Sequence, residues 1–371
     1  NEAVGQGGFH LAKPGEGMDE HNGMGKEVNS PESFDALRYH EHGKPIEVLR
    51  LEKLSISPCA SGEVTIQMEA AALHPSDIGL IVGSYGTLRS LPTVAGREGV
   101  GTICAVGRGV DEKLLGRPVA LPFNAGAWQE YMNEKADDLI LLPSLVPLDQ
   151  LALALLNPMT AWRLLNDFEY LKPGDFIIQN AGNSAVGLSI IQFAGKLGIR
   201  CISMVRSEEA KDKLLSFSKA DVFLDNDDSV EKVVQLTGGK KCALALNSVG
   251  GKSALRLAKC LRNGAVHVTF GAMNGQSVRF PTRHLIFDDI RFVGFWLDKW
   301  KQGKDLNDIR KSIEDVLQPL ALTEIRHPVD SVFSLSEFSE AFSRNNETRL
   351  GKVLFARDKE AIHSLRDSTG G

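Results

Sequence analysis

The apolar positions in the first part of the chain form short runs rather than long periodic stretches. From about residue 34 to residue 150 these runs are broken by Gly, Pro and Ser, as in EVTIQMEAAAL (63–73) and GVGTICAVG (99–107). Short apolar runs between turn residues predict strands. We therefore expect a compact, mostly β domain here, without the strand–helix alternation of a parallel sheet.

A regular alternation of strands and helices replaces this pattern from about residue 151 to residue 284. The buried strand DFIIQN (175–180) precedes a glycine-containing turn and a helix over residues 185–197, whose apolar face recurs at helical spacing. Further apolar strands are CISMVR (201–206), ALALNSV (243–249) and AVHVTFG (265–271). Such alternation predicts a doubly wound parallel sheet.

The remaining segments, 285–357 and the two ends, follow neither pattern. IRFVGFW (290–296) is predicted to be a last, buried strand, followed by a helix and a β-like piece, RLGKVLFA, that returns to the first domain. Residues 1–33 combine glycines with acidic side chains, which predicts a flexible tail, and residues 358–371 are predicted to form a polar tail. As it stands, the first tail is neither a signal peptide nor a mitochondrial presequence.

Composition and charge exclude several classes of function. The formal net charge of -5 gives no general attraction to nucleic acid or to anionic membranes. No run of eighteen apolar residues occurs, so no membrane span is expected. The five cysteines are scattered and never form CxxC, which indicates a reducing compartment and no cysteine-rich zinc site.

The segment NAGNSAVG (180–187) carries the first candidate chemistry. Its small residues allow close approach to a pyrophosphate, and the helix that follows offers N–H groups to it. Its position between a strand and a helix favours a nucleotide site over a purely structural turn. Arg206, at the end of the second strand, suits the 2'-phosphate of NADP, whereas NAD sites place Asp or Glu there. The alternative is a solvated arginine paired with Glu208 and Glu209.

Four stretches together point to a known family. They are LALNSVGGKSALRLAKCLRNGAVHVTFGAMNGQ with LIFDDIRFVGFW, HPSDIGLIVGSYGTLRSLPTVAGREGVG, LLNPMTAWRLLNDF and QNAGNSAVG. The chain resembles the mitochondrial 2-enoyl thioester reductases, which are NADPH-dependent trans-2-enoyl-CoA/acyl-carrier-protein reductases of the zinc-free medium-chain dehydrogenases/reductases. The resemblance spans residues 34–355. It implies an α/β fold with a Rossmann-type doubly wound sheet and a GroES-like first domain that is discontinuous in sequence.

The resemblance also implies roles for individual residues. Tyr85, in the triplet Ser84-Tyr85-Gly86, corresponds to the proposed proton donor. The implied NADP(H) contacts are Asn157, Asn183, Ser184, Ala185, Val186, Arg206, Phe270, Gly271, Ala272, Met273, Phe295, Trp296, Leu297 and Lys352. Three positions depart from the family pattern: Ala185 where glycine is common, Ser84 where asparagine is frequent, and Gly182 where serine is usual.

Several of these residues also have simpler interpretations. Tyr85 is alternatively a packing or turn tyrosine, and Trp296 a core aromatic. Lys352 is alternatively a charge on an edge strand that limits aggregation. Asn157 is alternatively the cap of the helix that enters the second domain.

The sequence opposes catalytic zinc. Where related zinc enzymes have a cysteine ligand and a Gly-His-Glu motif, this chain has Leu73-His74-Pro75 and Gly96-Arg97-Glu98. Arginine cannot ligate zinc, and a catalytic site needs three protein ligands. We expect no metal, and we expect His74 and Glu98 to be structural hydrogen-bonding residues.

The favoured function is reduction of trans-2-enoyl thioesters, with hydride added at C3 and a proton at C2. The alternatives are a zinc-free NADPH quinone reductase and a non-catalytic NADPH-binding protein. The resemblance further implies fatty acid synthesis in the mitochondrial matrix, enoyl-CoA or enoyl-acyl-carrier protein as substrate, and a homodimer with IRFVGFW as a candidate edge strand.

Overall fold

The computed structural model describes residues 32–121 and 126–362, which form parts of two compact units. Unit 1 contains the chain up to Ala152, Val332–Ala341 and the chain from Leu354, and unit 2 contains Leu153–Ser331 and Phe342–Val353. Nearly all of the predicted tail 1–33 lies outside the described residues, and so do residues 363–371 of the predicted tail 358–371. The last described residue, Ile362, is buried.

The secondary structure alternates along the chain as follows. The strands are β1 (Phe34–Tyr39), β2 (Arg50–Leu54), β3 (Glu63–Ala72), β4 (Thr93–Val94), β5 (Gly99–Val106), β6 (Pro118–Ala120), β7 (Tyr131–Lys135), β8 (Phe176–Asn180), β9 (Arg200–Val205), β10 (Asp221–Leu224), β11 (Cys242–Asn247), β12 (Leu261–Thr269), β13 (Arg291–Gly294), β14 (Val329–Phe333) and β15 (Lys352–Ala356). The helices are α1 (Pro45–Val48), α2 (Pro75–Val82), α3 (Leu148–Leu151), α4 (Leu156–Asn166), α5 (Ala185–Lys196), α6 (Glu208–Phe217), α7 (Asp227–Leu236), α8 (Gly251–Lys259), α9 (Thr282–Ile286), α10 (Leu297–Gln302), α11 (Leu306–Ala321) and α12 (Phe338–Asn345).

The core of unit 1 is made of antiparallel strands. One sheet has the order β2-β1-β4, and the other has the order β14-β15-β3-β5-β6 with β7 also paired to β3. The strands predicted at 63–73 and 99–107 are β3 and β5, which pair directly. The return of the chain is also confirmed, because Leu354 of β15 pairs with Ala72 of β3. Trp128 fixes this junction by donating to the carbonyl of Ala72 and packing edge-on against Phe355.

Unit 2 contains a six-stranded sheet of order β10-β9-β8-β11-β12-β13. The described pairings are all parallel. This is the doubly wound dinucleotide-binding order, with the strand order reversing between β8 and β11. The helix predicted over 185–197 is α5, which confirms the strand–turn–helix pattern.

Both edges of this sheet differ from expectation. Strand β10 was not predicted, because its four half-buried residues give only a short apolar run. The prediction that residues 290–296 form a buried strand is wrong: β13 ends at Gly294, and three of its four residues are exposed. Among the described strands, β13 pairs with β12 alone. Trp296 lies beyond the end of β13, as the residue before α10.

Within the described ranges, no helix combines the length and apolar character needed to cross a bilayer. All five cysteines are free thiols.

Candidate active site

The parallel sheet of unit 2 brings most of the predicted cofactor residues to one edge. Residues 183–186 follow β8, Arg206 follows β9, residues 270–273 follow β12, and residues 295–297 follow β13. Because these strands are parallel, their carboxyl ends lie at the same edge of the sheet, where open α/β sheets bind ligands.

The turn between β8 and α5 brings the start of the helix very close to the end of the strand. Ser184 is the residue before α5, and its hydroxyl accepts a hydrogen bond from the Gly187 N–H at 3.1 Å. A Cβ on Gly187 would lie 2.6 Å from the carbonyl oxygen of Gly182, so only glycine allows the helix to begin this near the strand. The first turn of α5 therefore presents its N–H groups as an anion site.

Gly182, where the family usually has serine, has a local explanation. A Cβ at this position would lie 2.4 Å from the Cβ of Ser203 on the neighbouring strand β9. The Ser203 hydroxyl accepts a hydrogen bond from the side-chain amide of Gln179 at 3.0 Å. The space that a serine at 182 would need is thus occupied by Ser203.

A buried network of neutral polar side chains lies where β8, β11 and β12 end. The Asn180 amide donates to Asn247 Oδ1 and to Ser253 Oγ, each at 2.8 Å, and Asn180 Oδ1 accepts from the Ser248 N–H at 2.8 Å. Asn247 Nδ2 donates to Thr269 Oγ1 at 3.1 Å. The sequence signal for this network was an asparagine at the end of two buried strands, FIIQN and CALALN, and our sequence analysis missed it.

Arg206 is exposed directly after β9, as predicted. Its guanidinium donates to Thr348 Oγ1 at 3.3 Å. Glu208 pairs instead with Lys211 at 3.5 Å, and Glu209 pairs with Lys213 at 2.9 Å. The alternative in which the two glutamates partner Arg206 is therefore wrong.

Arg349 is a second guanidinium near Arg206 that sequence reasoning missed. Burial lowers the pKa of Arg349, and the charges of Arg344 and Arg206 act in the same direction against the attraction of Asp330. No local pattern could have found this residue, because it comes to Arg206 from a segment more than a hundred positions further along the chain.

Asn157, Ala185 and Lys352 line one small cavity of unit 2. The other lining residues are Leu153, Leu188, His327 and Pro328. Two of the simpler interpretations fail here. Lys352 is only 5% exposed and lies on β15, between β14 and β3, so it is not an edge charge. The residue before α4 is Leu155, so Asn157 lies inside that helix and does not cap it.

The segments after β12 and β13 are held by backbone hydrogen bonds. The Phe270 N–H donates to the Asn247 carbonyl, and the Met273 N–H donates to the Ser248 carbonyl. Phe295 donates from its N–H to the Thr269 carbonyl and packs edge-on against Phe168. Gly271, Ala272 and Met273 follow the strand end, whereas Leu297 is buried. Trp296 is half-buried.

Tyr85 lies in unit 1, just after α2. That helix ends at Val82 and is followed by Gly83, which has φ +86°, and the Ser84 N–H donates to the Gly79 carbonyl. A Cβ on Gly79 would lie 2.9 Å from the Cβ of Tyr85, so this glycine lets the tyrosine fold back against the helix. The side chain is half-buried.

Arg97 contacts both the hydroxyl group and the aromatic ring of Tyr85. Its Nη1 donates to the Tyr85 hydroxyl oxygen at 3.1 Å, and its guanidinium carbon lies 5.2 Å from the ring centroid. Arg97 is 3% exposed. From the sequence, Arg97 was only a residue that cannot bind zinc, because no motif joins its position to that of Tyr85.

Buried charges surround this pair. His74 Nε2 and Glu98 Oε2 are 2.7 Å apart, which confirms the predicted structural hydrogen bonding of both residues. The Asp77 carboxylate accepts from the His74 backbone N–H at 2.7 Å. Burial raises the pKa of Asp77, opposed by His74, Arg97 and Arg89. Within residues 32–121 and 126–362, no group of three or more His, Cys, Asp or Glu side chains could hold a metal ion.

Comparisons with known proteins agree with this architecture. Residues 60–144 match the family of the alcohol dehydrogenase GroES-like domain, and residues 185–314 match the zinc-binding dehydrogenase family. A mitochondrial enoyl-[acyl-carrier-protein] reductase of Xenopus tropicalis is 38% identical over 82% of this chain and 90% of its own length. The enzyme of the same name from Homo sapiens is 36% identical over 84% of this chain and 85% of its own length.

Two solved structures share the fold. One is the mitochondrial 2-enoyl thioester reductase Etr1p/Etr2p heterodimer of Candida tropicalis, at 25% identity and a TM-score of 0.78, covering 87% of this chain and 99% of that one. The other is a mycobacterial quinone oxidoreductase, at 25% identity and a TM-score of 0.74, covering 87% of this chain and 100% of that one.

Proposed function

The chain belongs to the family of mitochondrial enoyl-[acyl-carrier-protein] reductases, and we propose that it reduces trans-2-enoyl thioesters with NADPH. The substrate is an enoyl-CoA or an enoyl-acyl-carrier protein, and the product is the saturated acyl thioester. The observation that carries the proposal is the position of Tyr85. Its phenol is half-buried, and the phenol oxygen accepts a hydrogen bond from Arg97 at 3.1 Å. A quinone reductase needs no such proton donor.

The residues of unit 2 fit NADPH. The turn 183–186 would hold the pyrophosphate, because Gly187 lets α5 begin close to the end of β8 and the first turn of that helix presents N–H groups. Asn157 and Lys352, which share a cavity with Ala185, would contact the nicotinamide half. The segments 270–273 and 295–297 would complete the contacts. When bound, NADPH supplies the hydride that is added at C3 of the enoyl group.

Two guanidinium groups favour NADPH over NADH. Arg206 is exposed at the strand end where the 2'-phosphate would lie, and its charge contributes to lowering the pKa of Arg349. A guanidinium suits a phosphate because it is always charged and donates in a planar fork. Arg206→Ala should raise the KM for NADPH roughly 10- to 100-fold and leave the KM for NADH unchanged.

Tyr85 is the proposed catalytic acid. Hydride addition at C3 places negative charge on the thioester oxygen, and a positioned acid must then protonate C2. The phenol O–H of Tyr85 is a donor that can supply this proton. Its loop is bounded by Gly83 and Gly86, and Gly79 leaves the space beside α2 in which the Tyr85 Cβ lies.

We propose that no metal takes part. Arg97 occupies the position where a histidine ligand would be needed, and His74 and Glu98 are engaged with each other.

We further propose that the chain forms a homodimer and acts in the mitochondrial matrix. Strand β13 is at the edge of its sheet, and Val293 is 38% exposed. The preceding helix and the residue after it expose Leu285, Ile286 and Phe287 by 54%, 65% and 69%. An exposed apolar edge is a ready surface for pairing with a second copy. Val293→Lys should shift the chain to the monomer in size-exclusion chromatography with light scattering.

The test is NADPH oxidation with trans-2-enoyl-CoA substrates of short and medium chain length, with a quinone run in parallel. Tyr85→Phe should lower kcat about 100-fold or more, within the range of general acid catalysis. Tyr170→Phe is the matched control, since Tyr170 is 82% exposed, and it should keep full activity. Turnover of quinone but not of enoyl thioester would favour the quinone reductase that the mycobacterial likeness suggests. NADPH binding without either turnover would indicate a non-catalytic protein.

A further inference from the structure

We propose that Arg97 is a positioning residue for the protonation step: it aims the Tyr85 proton at the substrate and stabilises the phenolate left behind. This inference rests on the proposed function, because it assigns a second residue to the same step. It concerns contacts inside unit 1 only, between a loop residue after β4 and the tyrosine that follows α2.

The direction of the hydrogen bond carries the first part of the inference. A guanidinium has donors and no acceptor, so Arg97 Nη1 must donate to Tyr85 Oη, at 3.1 Å. One lone pair of the phenol oxygen is therefore directed at Arg97, and the phenol proton cannot point the same way. Donation from Arg97 thus turns the acidic proton to the opposite side of the oxygen, where a substrate carbon can take it.

The burial and charge of Arg97 carry the second part. The side chain is 3% exposed, and a guanidinium stays protonated at every relevant pH. Water does not screen a charge in that position as it would at the surface, so its attraction for a phenolate 3.1 Å away is strong. Among its neighbours, Asp77 is bonded to the His74 backbone and is also attracted by the Arg97 charge, and Glu98 is bonded to the His74 ring.

The ring contact fixes the geometry further. The Arg97 guanidinium carbon lies 5.2 Å from the Tyr85 ring centroid, within the range of a cation–π contact. Gly79, on which a Cβ would lie 2.9 Å from the Tyr85 Cβ, leaves room for the tyrosine beside α2. Tyr85 is thus held by its oxygen, its ring and its Cβ, which restricts the rotamers that a loop tyrosine would otherwise sample.

When bound, NADPH would supply the hydride that adds to C3, which would leave the thioester as its enolate. The Tyr85 O–H bond then breaks, its proton forms the C–H bond at C2, and the oxygen becomes a phenolate beside Arg97. A proton from water restores the phenol before the next turnover.

The experiment is a double-mutant cycle on the full chain with crotonyl-CoA and NADPH. Arg97→Met should lower kcat roughly 10- to 100-fold, as expected for a lost hydrogen bond to a charged group, and leave the KM for NADPH unchanged. In the Tyr85→Phe background the same substitution should change kcat less than about twofold, because no phenol remains to position. Arg97→Lys, which keeps the charge, should recover part of the loss.

Two further readouts separate positioning from folding support. In D₂O the wild type should place deuterium on one face of C2, and Arg97→Met should lose that selectivity, as detected by NMR of the product. NADPH binding, followed by fluorescence, should be unchanged. Arg163→Met is the matched control, since the Arg163 guanidinium carbon also lies 5.2 Å from an aromatic ring, that of Trp300, and kcat should stay within twofold.

Additive effects of Arg97→Met and Tyr85→Phe on kcat would overturn the inference, and so would unchanged selectivity at C2. If Arg97→Met fails to fold, Arg97→Lys carries the same cycle, since it retains the buried charge. A wild-type chain that turns over no enoyl thioester would instead refute the proposed function, and that outcome is visible before any Arg97 variant is made.

Discussion

The two units each bury a polar network beside a proposed functional residue, but the two networks differ in chemistry. In unit 1 the network is charged and contains His74, Asp77, Arg89, Arg97 and Glu98. In unit 2 it is neutral and contains Asn180, Asn247, Ser248, Ser253 and Thr269. Both lie next to glycine-dependent turns, so backbone shape alone does not distinguish them.

The difference follows from what each network holds. A neutral network loses little on burial when every donor meets an acceptor, and here it joins the ends of three strands. Buried charges cost more, because desolvation opposes them unless each has a partner. A charged network is useful where a group must change its own charge, as Tyr85 would. We infer that unit 2 uses neutral groups to hold the shape of its loops, and unit 1 uses charges to support a reaction.

The largest expected effect is on stability, from a substitution in the charged network of unit 1. Glu98→Leu removes the buried carboxylate that lies 2.7 Å from His74 Nε2. Removing one partner of a buried ionic contact should lower the free energy of unfolding by about 3 to 5 kcal/mol. Urea denaturation followed by Trp fluorescence measures it.

An exposed pair of the same kind provides the control. His40 and Glu52 are also 2.7 Å apart, but their side chains are 57% and 26% exposed. Glu52→Leu should cost about 1 kcal/mol or less, because solvent screens the pair. Equal losses at the two sites would mean that burial does not set the strength of these contacts.

The next effect is acid sensitivity in unit 2. Burial lowers the pKa of His267 to about 4, although its hydrogen bond with the Ala254 carbonyl opposes the shift. The unfolded chain binds this proton below about pH 6.5, and the folded chain only near pH 4. Stability should therefore fall by about 3 kcal/mol as the pH drops through that window.

His267→Gln tests this effect, because glutamine can still donate toward the Ala254 carbonyl but does not titrate. Unfolding free energies at pH 7, 5.5 and 4.5 should show a shallower acid loss in the variant than in the wild type. If the free energy of unfolding falls equally with pH in both proteins, His267 is not the source of the acid sensitivity, and the carboxylates are.

The neutral network should respond more weakly to substitution. Asn180→Leu leaves Asn247, Ser248 and Ser253 with fewer partners, which should lower the free energy of unfolding by about 2 kcal/mol. Because the network joins the loops proposed to bind the cofactor, NADPH affinity should also fall roughly tenfold, measured by fluorescence titration.

Gln192→Leu is the control for that variant. The Gln192 side-chain amide donates to the Arg326 carbonyl and accepts from the Arg326 N–H, each at 2.9 Å. Both bonds lie away from the strand ends. It should lose stability without a change in NADPH affinity. If Asn180→Leu also keeps its NADPH affinity, the network supports the fold alone.

The comparison also explains what could be predicted from the sequence. Apolar periodicity located β8, α5, β11 and the Arg206 position, because those depend on local order. It could not find Arg349 beside Arg206, or Arg97 on Tyr85, since both contacts depend on how distant segments meet. The buried strand predicted at 290–296 failed for a related reason: apolar residues on an edge strand look the same in sequence as those in a sheet interior.

The smallest effect concerns a single departure from the family pattern. Gly182→Ser would restore the usual serine, but its Cβ would lie 2.4 Å from the Cβ of Ser203. Overpacking of this kind should lower the free energy of unfolding by about 1 to 2 kcal/mol. Ser203→Gly combined with Gly182→Ser should recover most of that loss, because the collision disappears. If the double variant is no more stable than the single one, the loss arises from the turn itself and not from Ser203, and the two positions do not compensate each other.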